Sequence, residues 1–244
     1  MIKLKKQQQK TSCNDSGFTI IESLVAIIVV AILLTAIAPV LVFSTATRVQ
    51  ARRVELAAQA AKTFIDGIRS GATTRSGVII AVPNAITPIL AAPSTDVTRN
   101  LVDAPGDYLI DTTKMPVPDN TTKGSLYCFN NDGSISNPDC TTNTDKLFYI
   151  QARRIVQNTA ANDGYRLTIR VYRADVDFTK TLTASTIEAN STSPAIKKTQ
   201  NPYTGGLGDR QAPLLEMTTD IANSSTSFST LCQRLGVATN KACN

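Results

Sequence analysis

The longest apolar segment of the chain lies close to the first residue. Residues 23–47 form a run of 25 residues without a charged side chain, whereas most of the remaining sequence is polar and rich in Thr, Asn, Ser and Asp. A helix needs about 20 apolar residues to cross the hydrocarbon core of a bilayer. The run therefore predicts one membrane-spanning helix.

The helical period continues after this run. Apolar residues recur at spacings of three and four, and charged residues cover the rest of the helix surface. Gly71 predicts where the helix ends. We therefore predict one long helix over 18–70, with 18–43 in lipid or in the core of an assembly. A coiled-coil dimer is the alternative for the second half, but the stripe is short and rich in alanine. The predicted stripe consists of Ala57, Ala61, Phe64, Ile65 and Ile68.

The sequence after the helix predicts a small antiparallel sheet. Six prolines between residues 83 and 118 exclude a long helix there. Two later segments are rich in β-branched and aromatic residues, and the second alternates as a half-buried strand does. Together with the helix they predict an α+β head over 71–244, in which the helix packs on one face of the sheet. The strands are expected at Leu147–Val156 and Tyr165–Tyr172, joined by a hairpin, with a further strand at Asp177–Thr183. The region before residue 123 is expected to be irregular, with one or two short strands at apolar pieces such as Val78–Val82 and Tyr108–Ile110.

The cysteines are arranged as two local pairs in the head and one residue before the helix. Cys128 with Cys140 and Cys232 with Cys243 suggest two small disulfide loops in an oxidising compartment, although four cysteines allow three pairings. Cys13 lies in the basic N-terminal segment. A zinc site is the competing interpretation, but neither pair has the spacing of a zinc motif and the chain contains no His. We therefore predict no metal and no cofactor.

Charge and chemistry limit the functional classes. The first 17 residues carry a net charge of +3 out of the chain's +6, so the remainder is too weakly basic to indicate a nucleic-acid partner. Without His there is no Ser-His or Cys-His pair, and we expect no enzyme. Five arginines on the predicted hairpin form either a basic patch for an anionic polymer or an ordinary solvated face balanced by Asp163, Asp175 and Asp177. These arginines are Arg153, Arg154, Arg166, Arg170 and Arg173.

The segment before the apolar run is the most specific part of the sequence. It reads Gly17-Phe18-Thr19-Ile20-Ile21-Glu22 and follows four lysines. A secretory signal peptide places its small-residue cleavage site after the hydrophobic stretch. Here Gly17 precedes that stretch, so cleavage after Gly17 would remove a hydrophilic leader and keep the helix.

This arrangement resembles the type IV prepilin and pseudopilin family, which includes the subunits of type II secretion machines. The family motif has Gly at the cleavage site, then Phe, and Glu four residues later; Gly17, Phe18 and Glu22 match it. Ser23 departs from it, since many members have Leu there. The resemblance implies a leader over 1–17 that is cut by a prepilin peptidase, N-methylation of Phe18, and a pilin fold.

Glu22 and Pro39 are the two unusual residues of the predicted span. A carboxylate inside an apolar helix normally has a partner or a role. After cleavage, the amine of Phe18 on one subunit could neutralise Glu22 of its neighbour during assembly; the alternative is a Glu22 that lies in the headgroup zone. Pro39 removes one backbone hydrogen bond and predicts a kink or a local loosening of the helix.

Orientation and partners follow from the resemblance rather than from charge. Four lysines precede the span and four basic residues follow it closely, so the positive-inside rule does not decide the topology. The resemblance implies a cytoplasmic leader, a single pass through the inner membrane and a periplasmic head that can be extracted into a surface filament. It also implies four partners: prepilin peptidase, other pilins, an inner-membrane assembly platform and membrane lipid.

A narrower resemblance concerns residues 17–71 and, more loosely, the head. The stretch Thr47–Glu55 and the long four-cysteine head resemble the cyanobacterial pseudopilins of hormogonium polysaccharide secretion. This implies a minor filament subunit that supports polysaccharide export and gliding motility, with polysaccharide as a candidate ligand. The alternatives are a major pilin and a membrane-anchored module that binds an anionic polymer without polymerising.

Overall fold

The chain divides into two compact units, the first ending at Thr45 and the second beginning at Ala46. The structure is a computed structural model that describes residues 19–71, 80–86, 115–156, 164–185, 198–200, 208–222, 226–228 and 231. Several predicted features lie outside these residues. They are Gly17, Phe18, Cys13, the pair Cys232 and Cys243, Asp163, and the expected strand Tyr108–Ile110.

One long helix, α1, extends over Ile20–Ser70. Its bounds agree with the sequence prediction to within two residues. Gly71 follows it with φ of +59°, the left-handed conformation that ends many helices and that glycine adopts without strain. The predicted stop signal is therefore confirmed.

Six strands follow and form one sheet. They are β1 (Ala85–Ile86), β2 (Tyr127–Asn130), β3 (Ile135–Ser136), β4 (Lys146–Ile155), β5 (Tyr165–Arg173) and β6 (Leu215–Ile221). Five of them are antiparallel in the order β3-β2-β4-β5-β6, and β1 pairs in parallel with the end of β4. The predicted hairpin is confirmed by the antiparallel register of β4 and β5, which pairs Ile150 with Val171.

The second half of α1 packs on one face of this sheet. Ala57, Ala60, Ala61 and Phe64 are completely buried, and Ile65 nearly so. The Phe64 ring meets the Tyr127 ring edge-on, with 4.8 Å between their centroids. Alternate residues of the strands complete the core. The arrangement confirms the predicted α+β fold. The strand residues are Tyr127, Phe129, Phe148, Ile150, Ala152, Leu167, Ile169 and Val171.

The opposite face of the sheet is also covered, so the prediction of a half-buried β5 is wrong. Thr168, Arg170 and Tyr172 on this face are fully buried. Segments 115–117 and 176–185 lie over them and contribute a second apolar cluster that includes the Cys128–Cys140 disulfide. Alternation of polar and apolar residues predicted solvent on this face, but irregular chain segments cover it instead.

Two further strand predictions also fail. Asp177–Thr183 is not a strand, because the carboxylate of Asp177 accepts hydrogen bonds from the backbone N–H and the hydroxyl of Thr179 and so stabilises a turn. The described part of Val78–Val82, from Ile80 onward, is also irregular; β1 begins three residues later. The unpredicted strand β6 occupies one edge of the sheet.

Candidate functional site

The helix start is built around Thr19. The Thr19 hydroxyl accepts a hydrogen bond from the backbone N–H of Glu22 at 3.2 Å, and the Thr19 carbonyl accepts one from the N–H of Ser23 at 3.1 Å. Thr19 is thus the N-cap of α1. Glu22 lies in the first turn, where a negative charge interacts favourably with the helix dipole.

Glu22 lies on an exposed surface. Its neighbours Ile20 and Ile21 are 86% and 77% exposed. Among the residues that the structure describes, no ion pair or hydrogen bond involves the Glu22 carboxylate. The chain therefore offers a carboxylate on an apolar helix surface that a cation from outside the chain could neutralise.

The first half of α1 exposes its apolar side chains to the surroundings. None of its most apolar stretch is buried within the protein. Large side chains such as Leu34 and Val42 are 63% and 65% exposed. By length and composition this helix can cross a membrane, and the exposed apolar surface fits lipid or other apolar helices.

The hydroxyl groups in this segment bond within the helix itself. Ser23 donates to the carbonyl of Ile20 at 2.8 Å, and Thr35 donates to the carbonyls of Ala31 and Ile32 at 3.0 and 2.9 Å. Such bonds satisfy hydroxyl groups where water is absent. Pro39 lies inside α1 and has no N–H to donate to the Thr35 carbonyl. The predicted kink at Pro39 stays a prediction.

The five arginines do not form the basic patch or the solvated face that the sequence suggested. Arg170 is fully buried: its Nε lies 3.3 Å from Glu216, and Nη1 donates to the carbonyl of Met115 at 2.6 Å. Arg166 pairs with Asp220 at 2.8 Å. Glu216 and Asp220 both belong to β6, directly opposite their arginines in the sheet register.

The other three arginines are also bound to the head or half-buried in it. Arg173 pairs with Asp175 at 2.6 Å, so one of the three predicted counterions is confirmed. Asp177 lies 3.9 Å from Lys180 instead. Arg154 donates from Nε to the carbonyl of Pro83 at 2.7 Å. Arg153 is half-buried. Sequence reasoning missed the main counterions because it missed β6, although Leu215, Met217 and Ile221 alternate there with Glu216, Thr218 and Asp220.

A buried polar contact joins α1 to the chain that precedes β6. Gln50 is 2% exposed, and its Nε2 donates to Oε1 of Gln200 at 2.9 Å. Gln200 donates in turn to the carbonyl of Ala212 at 2.9 Å. Gly208 lies so close that a Cβ there would be 2.3 Å from Gln50 Nε2. This contact fixes residues 198–200 and 208–212 against the helix.

The disulfide Cys128–Cys140 confirms one of the two predicted local pairs, with 6.0 Å between the Cα atoms. It connects β2 to the chain that follows β3. Both cysteines are buried beside Tyr149 and Tyr172. The loop that it closes therefore belongs to the packed second face of the sheet.

A long apolar N-terminal helix, continued by an amphipathic half that packs on an antiparallel sheet, is a pilin-like arrangement. A family model described as the prokaryotic N-terminal methylation motif matches residues 13–38. These residues include Gly17, Phe18 and Glu22. The match supports a type IV prepilin-like protein, and the motif implies processing by prepilin peptidase and assembly with other pilins. Searches of curated proteins and of solved structures found no match.

Proposed function

We propose that the chain is a minor pilin or pseudopilin, a structural subunit of a type IV pilus or of a type II secretion-like filament. The observation that carries this proposal is the methylation motif at 13–38, which extends into the exposed apolar half of α1. Cleavage after Gly17 removes the leader and produces a new amine at Phe18, which is then methylated. The helix stays attached to the head.

Assembly is proposed to depend on Glu22. An ionised side chain costs about 3 kcal/mol at the centre of a span on insertion scales, and less near the end of the span, where Glu22 lies. The amine of Phe18 on a neighbouring subunit removes much of this cost, because it brings an opposite charge to the exposed carboxylate. Lateral association of the helices then covers their apolar surfaces. Pro39 supplies a point where the helix can bend as it enters the filament.

The proposed topology places the leader in the cytoplasm, residues 18–43 in the inner membrane and the head over 71–244 in the periplasm. Lipid, the inner-membrane assembly platform and other pilins are the partners. The resemblance to cyanobacterial hormogonium pseudopilins supports a role in polysaccharide secretion and gliding motility. We propose a structural role and no enzymatic activity.

The two alternatives are distinguished by different observations. A major pilin would be the bulk component of sheared fibres. A non-polymerising module for an anionic polymer loses its main support, because Arg166, Arg170 and Arg173 pair with carboxylates of the same head. Such a module would also keep its function when Glu22 is replaced.

The test compares Glu22→Ala with Ser23→Ala in cells that carry the filament machinery. Ser23 is the matched control, because it is exposed and its hydroxyl donates to the carbonyl of Ile20 in the same helix turn. Mass spectrometry should find both variants cut to a methylated Phe18. Sheared filaments should contain the Ser23 variant at the wild-type level and little of the Glu22 variant.

Two results would contradict the proposal. Incorporation of Glu22→Ala at the wild-type level would remove the assembly role of the carboxylate. An uncut N-terminus, or a mature chain that begins beyond residue 43, would remove the assignment to prepilin-like proteins.

A further inference from the structure

The second unit of the chain begins with a cluster of basic side chains on α1. Arg48 and Arg52 are exposed. Arg53 is half-buried and donates from Nη1 to Oε1 of Gln50 at 3.4 Å. The first acidic residue after the apolar run is Glu55. The start of the amphipathic half of α1 is therefore positively charged.

The Gln50 contact holds two further basic residues of the head beside this cluster. Gln50 donates to Gln200 at 2.9 Å, and Gly208 lies against the same side-chain nitrogen. Lys198 precedes Gln200 by two residues, and Arg210 follows Gly208 by two; both are exposed. Because consecutive Cα atoms are 3.8 Å apart, each lies within about 8 Å of a residue that touches Gln50. We name this surface the basic collar; it consists of Arg48, Arg52, Arg53, Lys198 and Arg210.

The basic collar holds the net positive charge of the chain that would remain after cleavage. Residues 18–244 contain 21 basic and 18 acidic side chains, which gives a net charge of +3. Five of these basic residues belong to the collar, and Glu55 and Asp209 are the acidic residues next to it in the sequence. Elsewhere in 18–244 the basic and acidic side chains are equal in number. The excess charge is therefore concentrated in one place.

The collar charges are not neutralised by the head. Within the described part of the chain, no ion pair involves a collar side chain. Asp209 accepts the backbone N–H of Gln211 at 2.9 Å. Asp177 lies on the segment to which Gln211 donates, and its carboxylate is 3.9 Å from Lys180. The collar is thus available to an anionic partner.

We propose that the basic collar binds anionic lipid headgroups of the membrane leaflet that faces the head. The inference rests on the proposed function, because it takes residues 18–43 as the membrane-spanning segment. Arg48 follows Phe43 by five residues, which advance a helix by about 7.5 Å. The headgroup layer extends about 5–8 Å beyond the hydrocarbon core. Arg48 therefore lies at the depth of the headgroups.

The arginines one turn further along α1 can reach the same layer. Every Cα–Cβ bond of a helix tilts towards the N-terminus, which here is the direction of the membrane. Arg52 and Arg53 can therefore extend back along the helix, as long basic side chains near the ends of membrane helices do. Each basic residue near an anionic membrane surface strengthens binding about fivefold. The collar should therefore prefer anionic to zwitterionic lipid.

The experiment places a photo-crosslinking amino acid at Val49, which is 51% exposed and lies within the collar. The full chain is reconstituted into phosphatidylcholine vesicles that contain a minor share of phosphatidylglycerol. Mass spectrometry then counts the two lipids among the crosslinked products. Phosphatidylglycerol should exceed its share in the vesicles about fivefold. High salt should reduce this enrichment, because it screens exposed charges.

Charge removal identifies the residues that produce the enrichment. Arg48→Gln combined with Arg52→Gln should bring the crosslinked lipids close to the vesicle composition. Arg210→Gln tests the contribution of the head and should lower the enrichment about two- to fivefold. Lys62→Gln is the matched control, since Lys62 is an exposed lysine of the same helix, about 15 Å beyond Arg52. It should leave the enrichment unchanged.

Three results would overturn the inference while the proposed function stands. They are crosslinks in proportion to the vesicle composition, an enrichment that survives in the double arginine variant or in Arg210→Gln, and an equal loss with Lys62→Gln. If Glu22→Ala enters filaments at the wild-type level, the proposed function fails instead. Crosslinking at Val49 in vesicles needs no filament and still tests the collar.

Discussion

The two halves of α1 obey different rules although they belong to one helix. From Leu24 to Phe43 the helix is apolar on nearly every side, and its large side chains are at least half exposed in most positions. From Ala46 to Ser70 it has two faces, one buried against the sheet and one charged. The first half is suited to an apolar environment outside the chain, and the second half has its apolar environment within the chain.

This difference shows which property of the sequence determines the surface that each half of α1 presents to its surroundings. In the first half composition decides, because any rotation of a uniformly apolar helix presents the same kind of surface. In the second half periodicity decides, because only one orientation buries Ala57, Ala61 and Phe64 together. A substitution in α1 should therefore affect folding of the head only when it changes the buried face of the second half of the helix.

The largest expected effect comes from two phenylalanines of the same helix. Phe64→Ala removes a fully buried ring from the head and should lower the free energy of unfolding by about 3–5 kcal/mol. Phe43→Ala removes a ring that is 53% exposed and should leave that free energy within about 0.5 kcal/mol. Denaturant titration of the full chain in detergent, followed by tyrosine fluorescence, measures both.

The same two variants also test whether the apolar half of α1 acts in association rather than in folding of the head. Phe43→Ala should act, if at all, on association of the apolar half, which is measured as incorporation into filaments. Equal losses of head stability for the two variants would mean that the halves of α1 are not independent in the way proposed.

A smaller effect is expected from two glutamines on opposite faces of the second half. Gln50→Leu keeps the approximate size of the side chain but removes the donor to buried Gln200 Oε1, which should cost about 1–3 kcal/mol of unfolding free energy. Gln59→Leu lies on the exposed face and should cost little. If Gln59→Leu were the more damaging variant for head stability, the assignment of the two faces would be wrong.

The sequence was sufficient to predict those elements of the fold that are indicated by a pattern over a few neighbouring residues. A charge-free run, a three–four spacing that includes Phe64, and a glycine at position 71 each act over a few residues, and α1 was predicted almost to its ends. The strands β4 and β5 were found for the same reason, since their aromatic and β-branched residues are dense. The motif around Gly17 and Glu22 is likewise a short pattern.

The features of the head that could not be predicted depend on contacts between residues far apart in the sequence. Sequence gives no sign that Met115 and Ser185 cover the second face of the sheet, so Arg170 was expected near solvent and is buried beside Glu216 instead. The strand β6 alternates only weakly, because Thr218 and Thr219 interrupt the contrast between its faces. Gln50 resembled an ordinary surface residue until Gln200, 150 positions away, proved to be its partner.

The head should also show a pH dependence of its stability, to which Tyr127 of β2, next to the buried face of α1, contributes. Tyr127 contacts Phe64, and its hydroxyl donates to the carbonyl of Ala81 at 2.7 Å. Burial raises the pKa of Tyr127 to about 12. Because the folded state holds this proton more tightly than the unfolded chain does, the resulting stability is complete below pH 10 and declines as the pH rises towards 12.

The unfolding free energy of the head should therefore decrease over this range, and Tyr127→Phe should make the decrease shallower. Burial also raises the pKa values of Tyr149, Tyr165 and Tyr172, so part of the slope should persist in that variant. If Tyr127→Phe leaves the slope of unfolding free energy against pH unchanged, the Tyr127 ring beside Phe64 reaches water in the folded head. The assignment of the buried face of α1 would then be wrong.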